Sequence, residues 1–150
     1  NQLTSDLTRA LGDLSGGSLK AFSAIRVEAV EAGQVARVFR QGQVVVGRFL
    51  GVRAKTGSLR YGGRMTRNGD ITAATVTLDR ESARDSARRQ LLRTHELGHA
   101  LGYNHVESCP SVMNPRVGTG MTDFDRAAVK LAFAQFMQPA AGLGPGKPQY

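Results

Sequence analysis

Eleven consecutive residues, HELGHALGYNH at 95–105, hold all three histidines of the 150-residue chain, and their spacing dictates a local backbone. His95 and His99 are four residues apart. Four residues of α-helix advance about 400°, so the two side chains differ in direction by only about 40°. Both can reach one point, and Glu96, about 100° round from His95, sits beside it. For His105 to join them the helix must stop and the chain reverse. Gly102 meets that need, because a residue without Cβ takes positive φ without strain. Neutral imidazoles bind zinc at about 2.0–2.1 Å, and three of them leave the fourth position open for water. That is the composition of a catalytic rather than a closed structural site. The spacing predicts one catalytic Zn2+ on His95, His99 and His105, with Glu96 as the general base. The alternative for the same stretch is a polar helix end without metal, which requires no such spacing.

The remaining sequence supplies a frame for that helix. Leu3, Leu7, Ala10, Leu11 and Leu14 have helical spacing, closed by Gly16-Gly17. AIRVEAV at 24–30 alternates like a half-buried strand, and QVVVGRFLGV at 43–52 has the β-branched content of a buried one. Residues 59–66 and 71–79 flank Asn68-Gly69, a hairpin signal. Ile71, Ala73, Thr75 and Thr77 share one face of the second arm, while Thr72, Ala74, Val76 and Leu78 share the other. A long helix follows over 84–101, with Ser82 or Asp85 as N-cap and Gly102 as its stop. Thr122-Asp123-Phe124-Asp125 has capping-box character. The helix it opens would bury Phe124, Ala128, Leu131, Ala132 and Phe136 and close at Pro139, ahead of a flexible tail at 140–150. The fold class is α+β in a single domain.

Net charge is +8, but the arginines are scattered, and the local cluster from Arg84 to Arg93 is interrupted by Asp85 and apolar residues. No RNA-binding aromatic motif or zinc-finger spacing accompanies them, so nucleic acid is not the expected partner. Attraction to acidic substrates or surfaces is the milder inference. No apolar run approaches membrane-spanning length, and no basic stretch followed by an apolar one opens at Asn1. A lone Cys109 precludes an internal disulfide and reads as a small packed side chain rather than a reactive thiol or ligand.

HELGHALGYNH matches the pattern His-Glu-x-x-His-x-x-Gly-x-x-His, and with it the chain resembles the metzincin zinc metallopeptidases, in the style of their matrixin-like bacterial members. Ser111-Val112-Met113-Asn114-Pro115 resembles their Met-turn, whose methionine floors the metal site, and 122–136 resembles their C-terminal helix. The resemblance implies a mixed twisted sheet with an antiparallel edge strand and a long zinc-binding helix. It also implies a catalytic domain over 1–139, with upper and lower subdomains meeting near 102 and 103. It further implies a secreted or periplasmic monomer acting on protein or peptide substrates. Extended substrate would pair with the edge strand at Leu59, Arg60, Tyr61, Gly62 and Gly63. Its side chain would enter a pocket bordered by Asn114, Pro115 and Arg116, the last favouring acidic or polar groups. Asp123 and Asp125 would interact with the N-terminus or the Met-turn, although helix capping alone accounts for them. Tyr103 is expected to pack in the turn rather than touch substrate.

Several positions depart from the clan. Val106 follows the third histidine where matrixins have Ser and astacins Glu, which leaves the subfamily unassigned. Pro115 stands two residues after Met113, where astacins and serralysins carry a ligating Tyr. No strand pattern precedes the first helix, where the clan places a central one. A second functional class is a basic binding module whose zinc is structural and non-catalytic. Glu96 argues against it, since a purely structural site needs no general base.

Overall fold

The computed structural model describes residues 2–17, 41–49, 60–79 and 85–134, with backbone alone at 48–49, 60–63 and 79. Among these, three helices and a three-stranded mixed sheet form an α+β arrangement. The expected strand at 24–30, residues 50–52, Leu59, Ser82, Arg84, Phe136, Pro139 and the tail at 140–150 lie outside the described residues.

Helix α1, Gln2–Leu14, buries Ala10, Leu11 and Leu14 along the expected stripe, and Leu3 and Leu7 pack partly against the same core. It ends as Gly16 and Gly17 take φ of 61° and 81°, and the Gly17 amide donates to Gly12 O at 2.8 Å. Strands β1 (Val44–Phe49), β2 (Arg60–Arg67) and β3 (Asp70–Asp79) follow in the order β1-β3-β2, so β3 is central. β1 runs parallel to β3, with Val44 opposite Ala74. β2 runs antiparallel to it, with Arg67 opposite Asp70 and a register shift at Met65/Thr66. The connecting pair Asn68 and Gly69 both have positive φ, 52° and 82°, as a two-residue hairpin turn requires. β3 buries Ala73 and Thr75 as well as Ala74, Val76 and Leu78, so both of its faces are covered.

Helix α2, Ser86–Ala100, starts at Asp85, whose carboxylate accepts from the Ala87 and Arg88 amides at 3.2 and 3.3 Å. Its Leu97 and Ala100 complete a core cluster with α1 and with Ala74, Val76 and Leu78 of β3. Helix α3, Asp123–Ala132, has a reciprocal capping box between Thr122 and Asp125. The expected inner face of α3 needs correction. Phe124 is 47% exposed and Leu131 78%, while Asp125, Val129 and Phe133 are buried. Positions 125, 129 and 133 form the packed stripe because Asp125 is tied to the loop before it, and that rotation turns Phe124 and Leu131 outward.

Candidate metal centre

The last turns of α2 present His95 and His99 on one side, as the four-residue spacing dictates. His95 Nδ1 donates to Val112 O at 2.8 Å and His99 Nδ1 to Tyr103 O at 2.9 Å. A carbonyl oxygen can only accept, so each Nδ1 carries the ring proton and each Nε2 presents a lone pair. His99 Nε2 lies 3.1 Å from His95 Nε2 and 3.1 Å from His105 Nε2. The His95 and His99 lone pairs at that separation repel unless a cation is shared between them, and with His105 Nε2 beside them the three side chains can hold a metal ion. The cluster grades from buried His95 through half-buried His99 to exposed His105, leaving it open on one side.

Gly102 accomplishes the reversal with φ of 107°. Its amide donates to His99 O at 3.1 Å, and the Tyr103 amide donates to Gly98 O at 3.0 Å. The turn brings the Tyr103 carbonyl to His99, so the device that ends the helix also orients a ligand. The Tyr103 hydroxyl donates to Leu14 O at 2.9 Å, and its ring packs against the core, in keeping with the packing expected of it.

Glu96 is buried, with Oε1 4.0 Å from His95 Nε2. Beneath α2 lies Met113, also buried. A methyl group on Gly98 would lie 2.6 Å from Met113 Sδ, so the helix and the loop approach as closely as they do because Gly98 has no side chain. A glycine within a helix costs roughly 1 kcal/mol relative to alanine, and this contact is its compensation. That mid-helix glycine was the sequence signal for a close approach.

The loop holding Met113 is braced by side chains. Asn114 Nδ2 donates to Val106 O at 2.7 Å and Cys109 O at 2.9 Å, while its Oδ1 accepts from the Ser111 amide at 2.9 Å. Asn114, a candidate for substrate contact by sequence, is thus engaged with its own loop, while Pro115 and Arg116 are exposed. Asp125 accepts from the Ser111 hydroxyl at 2.5 Å and the Val112 amide at 2.8 Å, whereas Asp123 is exposed and pairs with Arg126 at 3.2 Å. Of the two acidic residues, it is Asp125 that reaches the loop of Met113. Cys109 is half-buried and stands apart from the histidine cluster. Residues 60–63 lie on β2, which has β3 as its one partner among the described strands. Arg64, beyond the expected segment, donates from Nη2 to Asn104 Oδ1 at 3.4 Å and links the hairpin to the residue before His105.

A second buried aspartate steadies the other half of α2. Asp6 of α1 receives Arg93 Nη1, Arg89 Nε at 3.2 Å and Gln2 Nε2 at 2.6 Å, and Gln90 donates to its carbonyl at 3.0 Å. Burial works to raise the Asp6 pKa. The hydrogen bonds from Gln2 and Arg89 and the charges of Arg93 and Arg89 outweigh it and hold the group below its ordinary value.

Compared with protein-family models, with curated proteins and with solved structures, the chain finds no match.

Proposed function

We propose that the chain is a zinc-dependent endopeptidase that hydrolyses peptide bonds of extended polypeptides, of the metzincin type that its motif resembles. One observation carries the reading: three imidazole Nε2 atoms converge, and the Glu96 carboxylate stands 4.0 Å from one of them. Tetrahedral zinc with Zn–N of about 2.0–2.1 Å sets ligand nitrogens roughly 3.3 Å apart. The observed 3.1 Å pairs need only a slight expansion to reach that value. The donor set therefore fits the ion, with His95, His99 and His105 as its ligands. A bound zinc ion supplies Lewis acidity, which acidifies water and polarises a carbonyl.

The chain's own residues account for the remainder. Val112 O and Tyr103 O hold the two helical imidazoles in one tautomer and one orientation. Glu96, buried next to the ligands, is within reach to take a proton from the attacking water and return it to the leaving amine. The antiparallel β2 offers main-chain donors and acceptors to an extended peptide, which gives affinity with little side-chain selectivity. Arg116, exposed after the Met113 loop, favours acidic or polar side chains.

The test is incubation with a denatured protein mixture, with and without a chelator, followed by mass mapping of the cuts. Zinc-dependent internal cleavage is expected. An intact mixture after incubation with the zinc-loaded protein would refute the reading, and the cut sites would define the preference.

A further inference from the structure

The strongest unexplained feature is a run of hydrogen bonds that leaves the metal centre and ends on a buried carboxylate. His95 Nδ1 donates to the carbonyl of Val112 at 2.8 Å. The same peptide group continues as the Met113 amide, which donates to Ser111 Oγ at 3.0 Å. Ser111 in turn donates its hydroxyl proton to Asp125 Oδ1 at 2.5 Å. Each link has its donor pointing the same way, from imidazole to peptide to hydroxyl to carboxylate. His95, Ser111, Val112, Met113 and Asp125 are all buried, so no water competes for these links. In a low-dielectric interior, such aligned bonds polarise one another.

We infer that Ser111 and Asp125 are positioning residues that act on the metal ligand His95 through the Val112–Met113 peptide, raising the electron donation of its Nε2. A carboxylate at the end of the run draws the Ser111 proton toward itself and enriches Ser111 Oγ. That strengthens the pull on the Met113 amide, which makes the Val112 carbonyl a stronger acceptor for His95. Outer partners of this kind orient ligating histidines and raise their basicity, commonly changing metal affinity by about 10–100-fold. Asp125 has further ties that fix it for the task. Its Oδ2 accepts from the Val112 amide at 2.8 Å and the Thr122 amide at 3.0 Å, so the cap of α3 and the metal centre share one side chain. The inference rests on the metal-binding part of the proposed function and not on peptidase activity.

The experiment compares the zinc-loaded protein with Ser111→Ala, and with Ser111→Cys, which keeps the volume and weakens the donor. Nitrogen-15 NMR reads the Nδ1–H resonances of His95 and His99, and competition with a chromophoric chelator reads zinc affinity. Ser111→Ala should move the His95 resonance upfield and leave His99 in place, with zinc affinity lowered about 10-fold. Ser111→Cys should fall between. Equal movement of both histidines, or none with unchanged affinity, would overturn the relay. A wild-type protein that takes up no zinc would overturn the metal reading instead. One measurement needs no substitution: the Ser111 hydroxyl proton should appear as a downfield, slowly exchanging signal with a cross-peak to the Met113 amide. Its absence from the zinc-loaded wild type would equally count against the relay.

Discussion

Two buried aspartates brace the metal-bearing helix, and they do so by different chemistry. Asp6 meets charge, two guanidinium groups from the N-terminal half of α2. Asp125 meets neutral donors, a hydroxyl and backbone amides, in the loop that contacts the C-terminal half. An ion pair holds two helices together with tolerance for angle. A carboxylate that accepts from a hydroxyl and from the amides at both ends of a loop fixes that loop's shape. The first arrangement suits docking α1 on α2, and the second suits setting atoms around His95. The division implies that damage to the Asp6 brace costs fold stability, whereas damage near the Met113 loop costs site geometry.

That separation can be broken in several ways. The largest effect belongs to Glu96, beside the histidine ligands. Glu96→Ala should keep stoichiometric metal by elemental analysis and lose turnover roughly 100-fold or more, whereas His95→Ala should lose the metal itself. A Glu96→Ala variant as active as wild type on unfolded protein would end the peptidase reading. Next comes Asp6→Ala, which removes the carboxylate that Arg89 and buried Arg93 donate to and should cost roughly 3 kcal/mol in denaturant unfolding. Metal binding by the folded fraction should be unchanged, and a parallel loss of affinity would show that the two braces are one system. Gly98→Ala should change stability by less than about 1 kcal/mol, because alanine recovers helix propensity while the flexible end of Met113 gives way, yet, unlike Asp6→Ala, it should weaken metal binding. Chelator competition on the folded variant distinguishes the two outcomes.

The smallest effect is the acid limb of stability. Because the folded pKa of Asp6 is lowered, its contribution is fully present above the unfolded value of about 3.9. It is lost as pH falls through the folded value, where the carboxylate takes up a proton. Asp6→Asn should therefore flatten the stability profile below about pH 4. An unaltered slope would show that another group carries that limb.

Local features were legible because local chemistry decides them. The histidine spacing, the Gly102 reversal, the Asn68-Gly69 turn, the Asp85 cap and the Thr122 capping box each depend on neighbours within a few residues. The orientation of α3 was not legible. Its sequence carries one stripe through Phe124, Ala128 and Leu131 and another through Asp125, Val129 and Phe133. Apolar periodicity favours the first, yet a single buried aspartate bonded to Ser111 selects the second. The pairing of Asp6 with Arg93 spans most of the chain, and no spacing rule reaches that far. The contact of Gly98 with Met113 was half legible, since a helical glycine announces a close neighbour without naming it. Asn114 was placed near substrate by its position after Met113, while its amide is taken up by three backbone groups of the loop.

The parallel pairing of β1 with β3 carries a consequence for the order of folding. β2 and β3 meet across two residues, and such hairpins close in about 1–10 μs. Val44, thirty positions from Ala74 in sequence, reaches it only after the chain between them has been drawn in, and this long-range closure is the slower step. A refolding chain should therefore possess its antiparallel edge before its parallel one. Pulsed hydrogen exchange should protect amides shared by β2 and β3 ahead of those shared by β1 and β3, and the reverse order would place nucleation at β1.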